Sequence, residues 1–158
     1  MGNIFSASEV LEIGIQIEKN GKDFYQTLAS QTKNKKNQEL FEYLANQEEK
    51  HMNTFQQILL SLEKYEPVEA YPGEYFAYIN ALAEETVFTK KDKGKELASK
   101  VKDEKEAIAI GIQAEKDSII FYQGMKRVTP EYDQKIVEEV IKEEEKHLRQ
   151  LLEIKTNL

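Results

Sequence analysis

The chain has no cysteine and no tryptophan among its 158 residues, and it has only three prolines. Without cysteine there can be no disulfide, no thiolate-bound metal, no cysteine-held iron–sulfur cluster and no thiol catalysis. No apolar run approaches the roughly 18 residues of a membrane span, and the N-terminus has no basic-then-apolar export signal. These absences predict a cytoplasmic protein with no membrane partner.

The chain also has fewer basic than acidic residues. Lys and Arg number 22 against 29 Asp and Glu, which gives a formal net charge of −7 at pH 7. Because an acidic chain is repelled by phosphate groups, we expect no nucleic-acid partner. Hydrophobic residues make up 40% and charged residues 32% of the chain. This balance and length predict that residues 1–158 form a single globular domain.

With few helix breakers, four stretches carry apolar residues at steps of three and four. They run over residues 7–29, 41–62 and 108–125, and from Thr129 to Leu152. Thr129 followed by Pro130 indicates a capping residue and a first-turn proline at the start of the fourth stretch. The pattern predicts an all-α protein.

The connections between these helices set the topology. Short links near residues 32–37 and 128–130 make antiparallel neighbours, whereas the second and third helices are separated by a segment of about residues 63–103. We therefore predict an antiparallel four-helix bundle with a long crossover between helices 2 and 3. A short amphipathic helix is expected within the crossover, on Tyr75, Tyr78, Ile79, Leu82 and Ala83.

The two halves of the chain repeat each other. The segment IQIEK at residues 15–19 returns 97 residues later as IQAEK at residues 112–116. The tetrapeptide EEKH occurs at residues 48–51 and again, 96 residues later, at residues 144–147. A helix pair used twice predicts an approximate twofold axis between the copies.

Polar residues interrupt every apolar stripe at its middle. A single glutamate does so in the first and third helices, and a Glu-x-x-His pair does so in the second and fourth. Glutamate and histidine three residues apart lie on the same helix face, so both side chains can reach one point. The predicted interior therefore holds four carboxylates and two imidazoles at one level: Glu18, Glu48, His51, Glu115, Glu144 and His147.

Such a cluster requires compensation, because buried carboxylates without partners are costly and repel one another. Two divalent cations would balance four glutamates, and neutral imidazoles would fill the remaining coordination positions. Mixed carboxylate and imidazole ligands favour iron or manganese. The alternative is a metal-free polar core, but the two histidines are the only ones in the chain and both belong to the repeat. We therefore predict a dinuclear metal site.

The order Glu, Glu-x-x-His, Glu, Glu-x-x-His resembles the ferritin-like superfamily, and most closely its rubrerythrin branch, over nearly the whole chain. The resemblance implies two iron ions, with manganese as an open alternative. It implies that Glu48 and Glu144 bridge the ions, that Glu18 and His51 are terminal ligands of one, and that Glu115 and His147 are terminal ligands of the other.

Two tyrosines extend the resemblance. Tyr25 and Tyr122 each lie seven residues after a predicted ligand glutamate. Similar tyrosines near rubrerythrin sites hydrogen-bond ligand carboxylates, which would orient the ligands and tune the metal. The alternative is that both are core aromatics whose hydroxyl groups bond elsewhere.

Members of this family reduce peroxide or dioxygen, or oxidise and store iron. The resemblance implies a di-iron oxidoreductase that acts on peroxide or dioxygen, with a role against oxidative stress. The alternatives are a ferroxidase that stores iron and a non-catalytic bundle braced by its metals. Rubrerythrins usually append a rubredoxin domain with four cysteines, and none is present here, so the expected electron donor is a separate redox protein.

Two further expectations come from the same resemblance. Ser118 stands where the family has a second glutamate, three residues after the helix-three ligand; Glu84 or Glu85 could replace that carboxylate, although a solvated surface role is the alternative we favour. A homodimer is expected, since the crossover carries aromatic residues that need covering: Tyr75, Phe76 and Phe88.

Overall fold

The computed structural model describes residues 7–65 and 73–158, and every regular element within those ranges is an α-helix. In chain order the helices are α1 (Ala7–Gln31), α2 (Lys35–Tyr65), α3 (Gly73–Glu85), α4 (Lys93–Lys100), α5 (Glu104–Val128) and α6 (Glu131–Thr156). The all-α prediction is confirmed. No helix in the described part of the chain is long and apolar enough to cross a membrane.

The four long helices form the bundle. Helix α1 packs along α2 and α5 packs along α6, while contacts between α1 and α5 and between α2 and α6 join the two pairs. The short links at residues 32–34 and 129–130 reverse the chain, so each pair is antiparallel. The predicted bundle with one long crossover is confirmed. Its apolar stripes meet in a core whose largest fully buried members include Phe24, Phe41, Phe55, Phe121, Leu11 and Leu44.

Two helix ends differ from the sequence prediction. Helix α2 begins at Lys35, inside the stretch predicted as a link, because the Asn34 side chain accepts the backbone N–H of Asn37 at 3.1 Å. The interpretation of Thr129 as the cap of the last helix is wrong. Its hydroxyl donates to the Met125 carbonyl at 2.8 Å and so closes α5, and Pro130 is the N-cap of α6.

The crossover contains two helices. Helix α3 lies where the short amphipathic helix was predicted and packs on α5, and α4, which was not predicted, packs on α1. Residues 66–72 of the crossover lie outside the described part. Helix α4 approaches α1 so closely that a Cβ at Gly94 would lie 1.9 Å from the backbone oxygen of Asn20. Only glycine fits this contact, and Asp92 turns the chain into it at φ 59°.

Two equivalent positions of the repeat hold the end of the crossover. Asn20 is fully buried; its amide donates to the carbonyls of Phe88 and Lys90, both at 2.7 Å, and its oxygen accepts the N–H of Gly94 at 3.1 Å. Asp117, the corresponding residue of α5, accepts the N–H of Val87 at 3.1 Å. The connection is therefore attached to both halves of the bundle by residues two positions after a predicted ligand glutamate.

Candidate metal centre

The structure brings all six predicted ligand residues together at the middle of the bundle. Each long helix contributes at its centre: α1 and α5 one glutamate each, and α2 and α6 a Glu-x-x-His pair each. None of the six is more than 4% exposed. Two surface cavities of about 430 and 600 Å³ contain none of them. The cluster therefore lies in the closed interior, within the apolar core.

The six residues form two overlapping groups of four, and each group has the composition of a metal site. Within a group, one ligand atom from each residue lies within 4.8 Å of the others. We call the groups the His51 position and the His147 position. Two glutamates are shared and the other residues divide: Glu48 and Glu144 belong to both, Glu18 and His51 complete the His51 position, and Glu115 and His147 complete the His147 position.

Each of the two tyrosines hydrogen-bonds a glutamate of the other helix pair. The Tyr25 hydroxyl on α1 donates to Glu115 Oε1 on α5 at 2.7 Å, and the Tyr122 hydroxyl on α5 donates to Glu18 Oε1 on α1 at 2.6 Å. Both rings are buried. Each tyrosine therefore hydrogen-bonds the glutamate of the opposite helix, and not the glutamate two turns before it in sequence. This pairing is what an approximate twofold axis between the helix pairs produces.

The remaining ligand atoms fit a pair of bound cations. Several buried side-chain atoms of the cluster have no hydrogen-bond partner: Glu18 Oε2, Glu48 Oε1, Glu115 Oε2, Glu144 Oε2 and both ring nitrogens of His147. A buried polar atom without a partner costs about 1–3 kcal/mol. Two of these oxygens, Glu18 Oε2 and Glu115 Oε2, are the ones that the tyrosine hydrogen bonds leave free. Bound metal ions would satisfy all four carboxylate oxygens together. The donor set is therefore suited to a dinuclear site.

Burial and mutual repulsion shift the pKa values of the clustered glutamates. Burial raises the pKa of Glu18, Glu48 and Glu115 well above its ordinary value, and repulsion by Glu144 raises it further. A raised pKa favours the protonated form of these three carboxyl groups, and a metal ion would compete with those protons. Metal affinity is therefore expected to fall as the pH is lowered.

Glu144 is the charged centre of the cluster. Burial alone would raise its pKa, but contacts with Glu115, His147 and His51 outweigh burial and hold the pKa well below its ordinary value. Burial lowers the pKa of each histidine, but the contact with Glu144 opposes burial and the pKa of both rises to about 9. His51 Nδ1 lies 2.9 Å from Glu144 Oε1, and His147 Nδ1 lies 3.4 Å from Glu144 Oε2. Both imidazoles thus present Nδ1 to the same carboxylate.

Apolar and small residues shape the space around the ligands. The rings of His51 and His147 stack at a centroid distance of 5.8 Å, and Phe55 packs edge-on against Tyr122 at 5.0 Å. A Cβ at Gly21 would lie 2.9 Å from Glu48 Oε2. A residue larger than glycine at this position would displace a shared carboxylate.

No additional carboxylate enters the cluster from the positions considered in the sequence. Ser118 is buried, but its hydroxyl donates to the Ala114 carbonyl at 2.9 Å. Glu84 and Glu85 are exposed and belong to neither group of ligands. One contact was missed: Glu143 Oε2 lies 2.6 Å from His51 Nε2. Only its position directly before a predicted ligand could have drawn attention to it.

Comparison with known proteins agrees with this geometry. The rubrerythrin family model matches residues 9–155 of the chain. A crystal structure from Thermotoga maritima, provisionally described as that of a ferritin-like di-iron carboxylate protein, is similar at 28% sequence identity with a TM-score of 0.75. The match covers 99% of this chain and 98% of that one. No curated protein matches the chain.

Proposed function

Since the chain belongs to the rubrerythrin family, we propose that it is a di-iron oxidoreductase that reduces peroxide or dioxygen with electrons from a separate donor protein. The observation that carries the proposal is the pair of four-residue ligand groups that share Glu48 and Glu144 in a closed interior. The similar Thermotoga maritima structure, itself described as a di-iron carboxylate protein, supports the choice of iron. Manganese is the second candidate metal, because the same ligands accept it.

The proposed ligands divide as the groups do. Glu48 and Glu144 would bridge the two ions, and each position would add one terminal glutamate and one histidine: Glu18 with His51, and Glu115 with His147. Two reducible ions held by these residues would supply the two electrons needed to reduce one O–O bond. That electron count suits peroxide reduction and the first step of dioxygen reduction.

The protein's own groups would orient the ligands and exclude water. Tyr25 and Tyr122 each bond one oxygen of a terminal glutamate, which leaves the other oxygen for the metal. Burial raises the pKa of both tyrosines, so both hydroxyl groups stay protonated. Each hydroxyl proton lies next to a proposed ligand carboxylate. The six ligand residues are buried and the buried ring of Phe55 packs against Tyr122, which would keep bulk water away from the site.

Electrons must come from outside the cluster. The chain has no cysteine to hold a rubredoxin-type iron, so the proposed donor is a separate redox protein. We also infer a homodimer, as the resemblance implies. Light scattering at micromolar concentration measures this directly, and a monomer would contradict it.

The activity is tested by loading the chain anaerobically with two equivalents of Fe(II) and mixing it with substoichiometric hydrogen peroxide or dioxygen. We expect fast oxidation, followed by recovery of Fe(II) when a reductant is added, over repeated cycles. The matched control is Glu144→Ala, which lacks a proposed bridge and should not cycle. Accumulation of iron well beyond two ions per chain would instead indicate ferroxidase and storage activity. Slow oxidation without recovery would indicate metals that only brace the bundle, and would contradict the proposal.

A further inference from the structure

The two histidines of the cluster differ on the side that faces away from the shared glutamates. His51 Nε2 lies 2.6 Å from Glu143 Oε2, and the Glu143 side chain is half-exposed. His147 Nε2, by contrast, has no hydrogen-bond partner among the described residues. The ring of Tyr43 packs edge-on against His147 instead, at a centroid distance of 6.1 Å and an angle of 84°. The two metal positions therefore have the same types of ligand, but only the histidine of the His51 position has a hydrogen-bond partner at Nε2.

The difference originates in one pair of residues of the repeat. Glu143 directly precedes the shared Glu144, and the residue that directly precedes the shared Glu48 is Gln47. The approximate twofold axis relates Glu143 on α6 to Gln47 on α2. A carboxylate that accepts a hydrogen bond from His51 thus has a neutral amide as its counterpart in the repeat.

The contact between Glu143 and His51 Nε2 affects Nδ1, the nitrogen of His51 that faces the cluster. When the Nε2–H of His51 donates to Glu143, the proton is held on that nitrogen, and Nδ1 carries the lone pair toward the cluster. The bond also holds the imidazole ring in the orientation that coordination needs. Removal of such a partner typically weakens metal binding by about 10–100-fold.

We propose that Glu143 is a positioning residue that makes the two metal positions unequal, so that the His51 position binds its ion more tightly and fills first. This inference rests on the ligand assignment of the proposed function. It adds an order of loading that the six ligands alone, being nearly symmetric, would not produce.

The experiment titrates the metal-stripped full-length chain with Fe(II) under anaerobic conditions by calorimetry, and with Mn(II) followed by electron paramagnetic resonance. We expect two binding steps about tenfold or more apart. At one equivalent of Mn(II), the spectrum should be that of isolated single ions, since unequal positions fill in order. Binding of both ions in a single step, with coupled pairs already present at one equivalent, would overturn the inference.

Variants separate the role of Glu143 from a general effect on the bundle. Glu143→Ala should weaken the first step by about 10–100-fold and bring the two steps together, and Gln47→Glu should tighten the second step. The matched control is Glu139→Ala, which removes an exposed glutamate one turn earlier on α6 and should change neither step. Unchanged constants in Glu143→Ala would overturn the inference and leave the proposed function intact. A wild-type chain that binds no iron or manganese would overturn both.

Discussion

The two helix pairs of the bundle, α1–α2 and α5–α6, are alike toward the centre of the molecule and different toward its outside. Toward the centre, the same three ligands (Glu, Glu and His) recur in the same order in each pair, and each tyrosine hydrogen-bonds a glutamate of the other pair. Toward the outside, Gln47 in one pair corresponds to Glu143 in the other, and Asn20 corresponds to Asp117. The two halves are therefore alike at the residues that form the ligand cluster and at the two tyrosines that bond to it, and they differ at neighbouring positions that do not contribute a ligand.

The crossover explains part of the outer difference. A single connection must pass from one end of the bundle to the other, so it cannot contact both pairs in the same way. Helix α4 packs closely on α1, where Gly94 contacts the backbone of Asn20, and α3 packs on α5. The first pair therefore carries a buried amide with three hydrogen bonds at a position where the second carries a carboxylate with one bond to the crossover.

The largest expected effect breaks the central symmetry. Glu48→Ala or Glu144→Ala removes a residue common to both groups and should eliminate the metal pair, since both positions lose a ligand. Glu18→Ala or Glu115→Ala removes a residue of one group only and should leave about one ion per chain. Metal analysis of purified protein from iron-supplemented medium measures the stoichiometry. Two tightly held ions in Glu144→Ala would refute the bridging assignment.

The second prediction compares the two crossover anchors. Asn20→Ala loses three hydrogen bonds, two of them buried and one partly buried, and should lower the free energy of unfolding by about 3 kcal/mol. Asp117→Ala loses one bond to the crossover and should lower it by about 1 kcal/mol. Urea denaturation of the metal-stripped variants measures both values. Equal losses would show that the crossover is held equally by the two halves.

The third prediction concerns pH and the metal-free cluster. The pKa of His51 and of His147 is raised to about 9, so the folded state binds their protons more tightly than the unfolded chain does. Their stabilising contribution is complete below about pH 6.5 and is lost as the pH rises through about 9. Denaturation at pH 6.5 and pH 9 measures the change. Metal-loaded protein, whose imidazoles bind metal instead of protons, should vary less; an equal or larger loss would contradict the assignment.

The smallest expected effect tests the symmetry of the tyrosines. Tyr25→Phe and Tyr122→Phe each remove one hydrogen bond to a terminal glutamate. Each should weaken Fe(II) binding at one position by about tenfold, equivalent to about 1.4 kcal/mol. Anaerobic calorimetry should show the loss at the His51 position in Tyr122→Phe and at the His147 position in Tyr25→Phe. If neither affinity changes, the tyrosines are core aromatics and do not support the ligands.

The ligand cluster could be predicted because its signals, the local spacing of residues and the internal repeat, do not depend on how the helices pack. Three-residue spacing places Glu48 beside His51 on one helix face whatever the helix packs against. The apolar stripes around Glu18 and Glu115 show which face points inward, and the repeat relates the halves. The same local reasoning failed at Thr129, because a hydroxyl between two helices can serve either one, and the structure assigns it to α5.

What the sequence by itself determined was the all-α bundle and the convergence of six polar residues at its centre, since helical periodicity and the repeat need no knowledge of the partners. Only the tertiary structure decided which partners meet: Tyr25 with Glu115 across the bundle, Asn20 with the crossover, and Glu143 with His51. These contacts join residues 68 or more positions apart. No local pattern encodes such a distance, because it depends on how the finished helices pack.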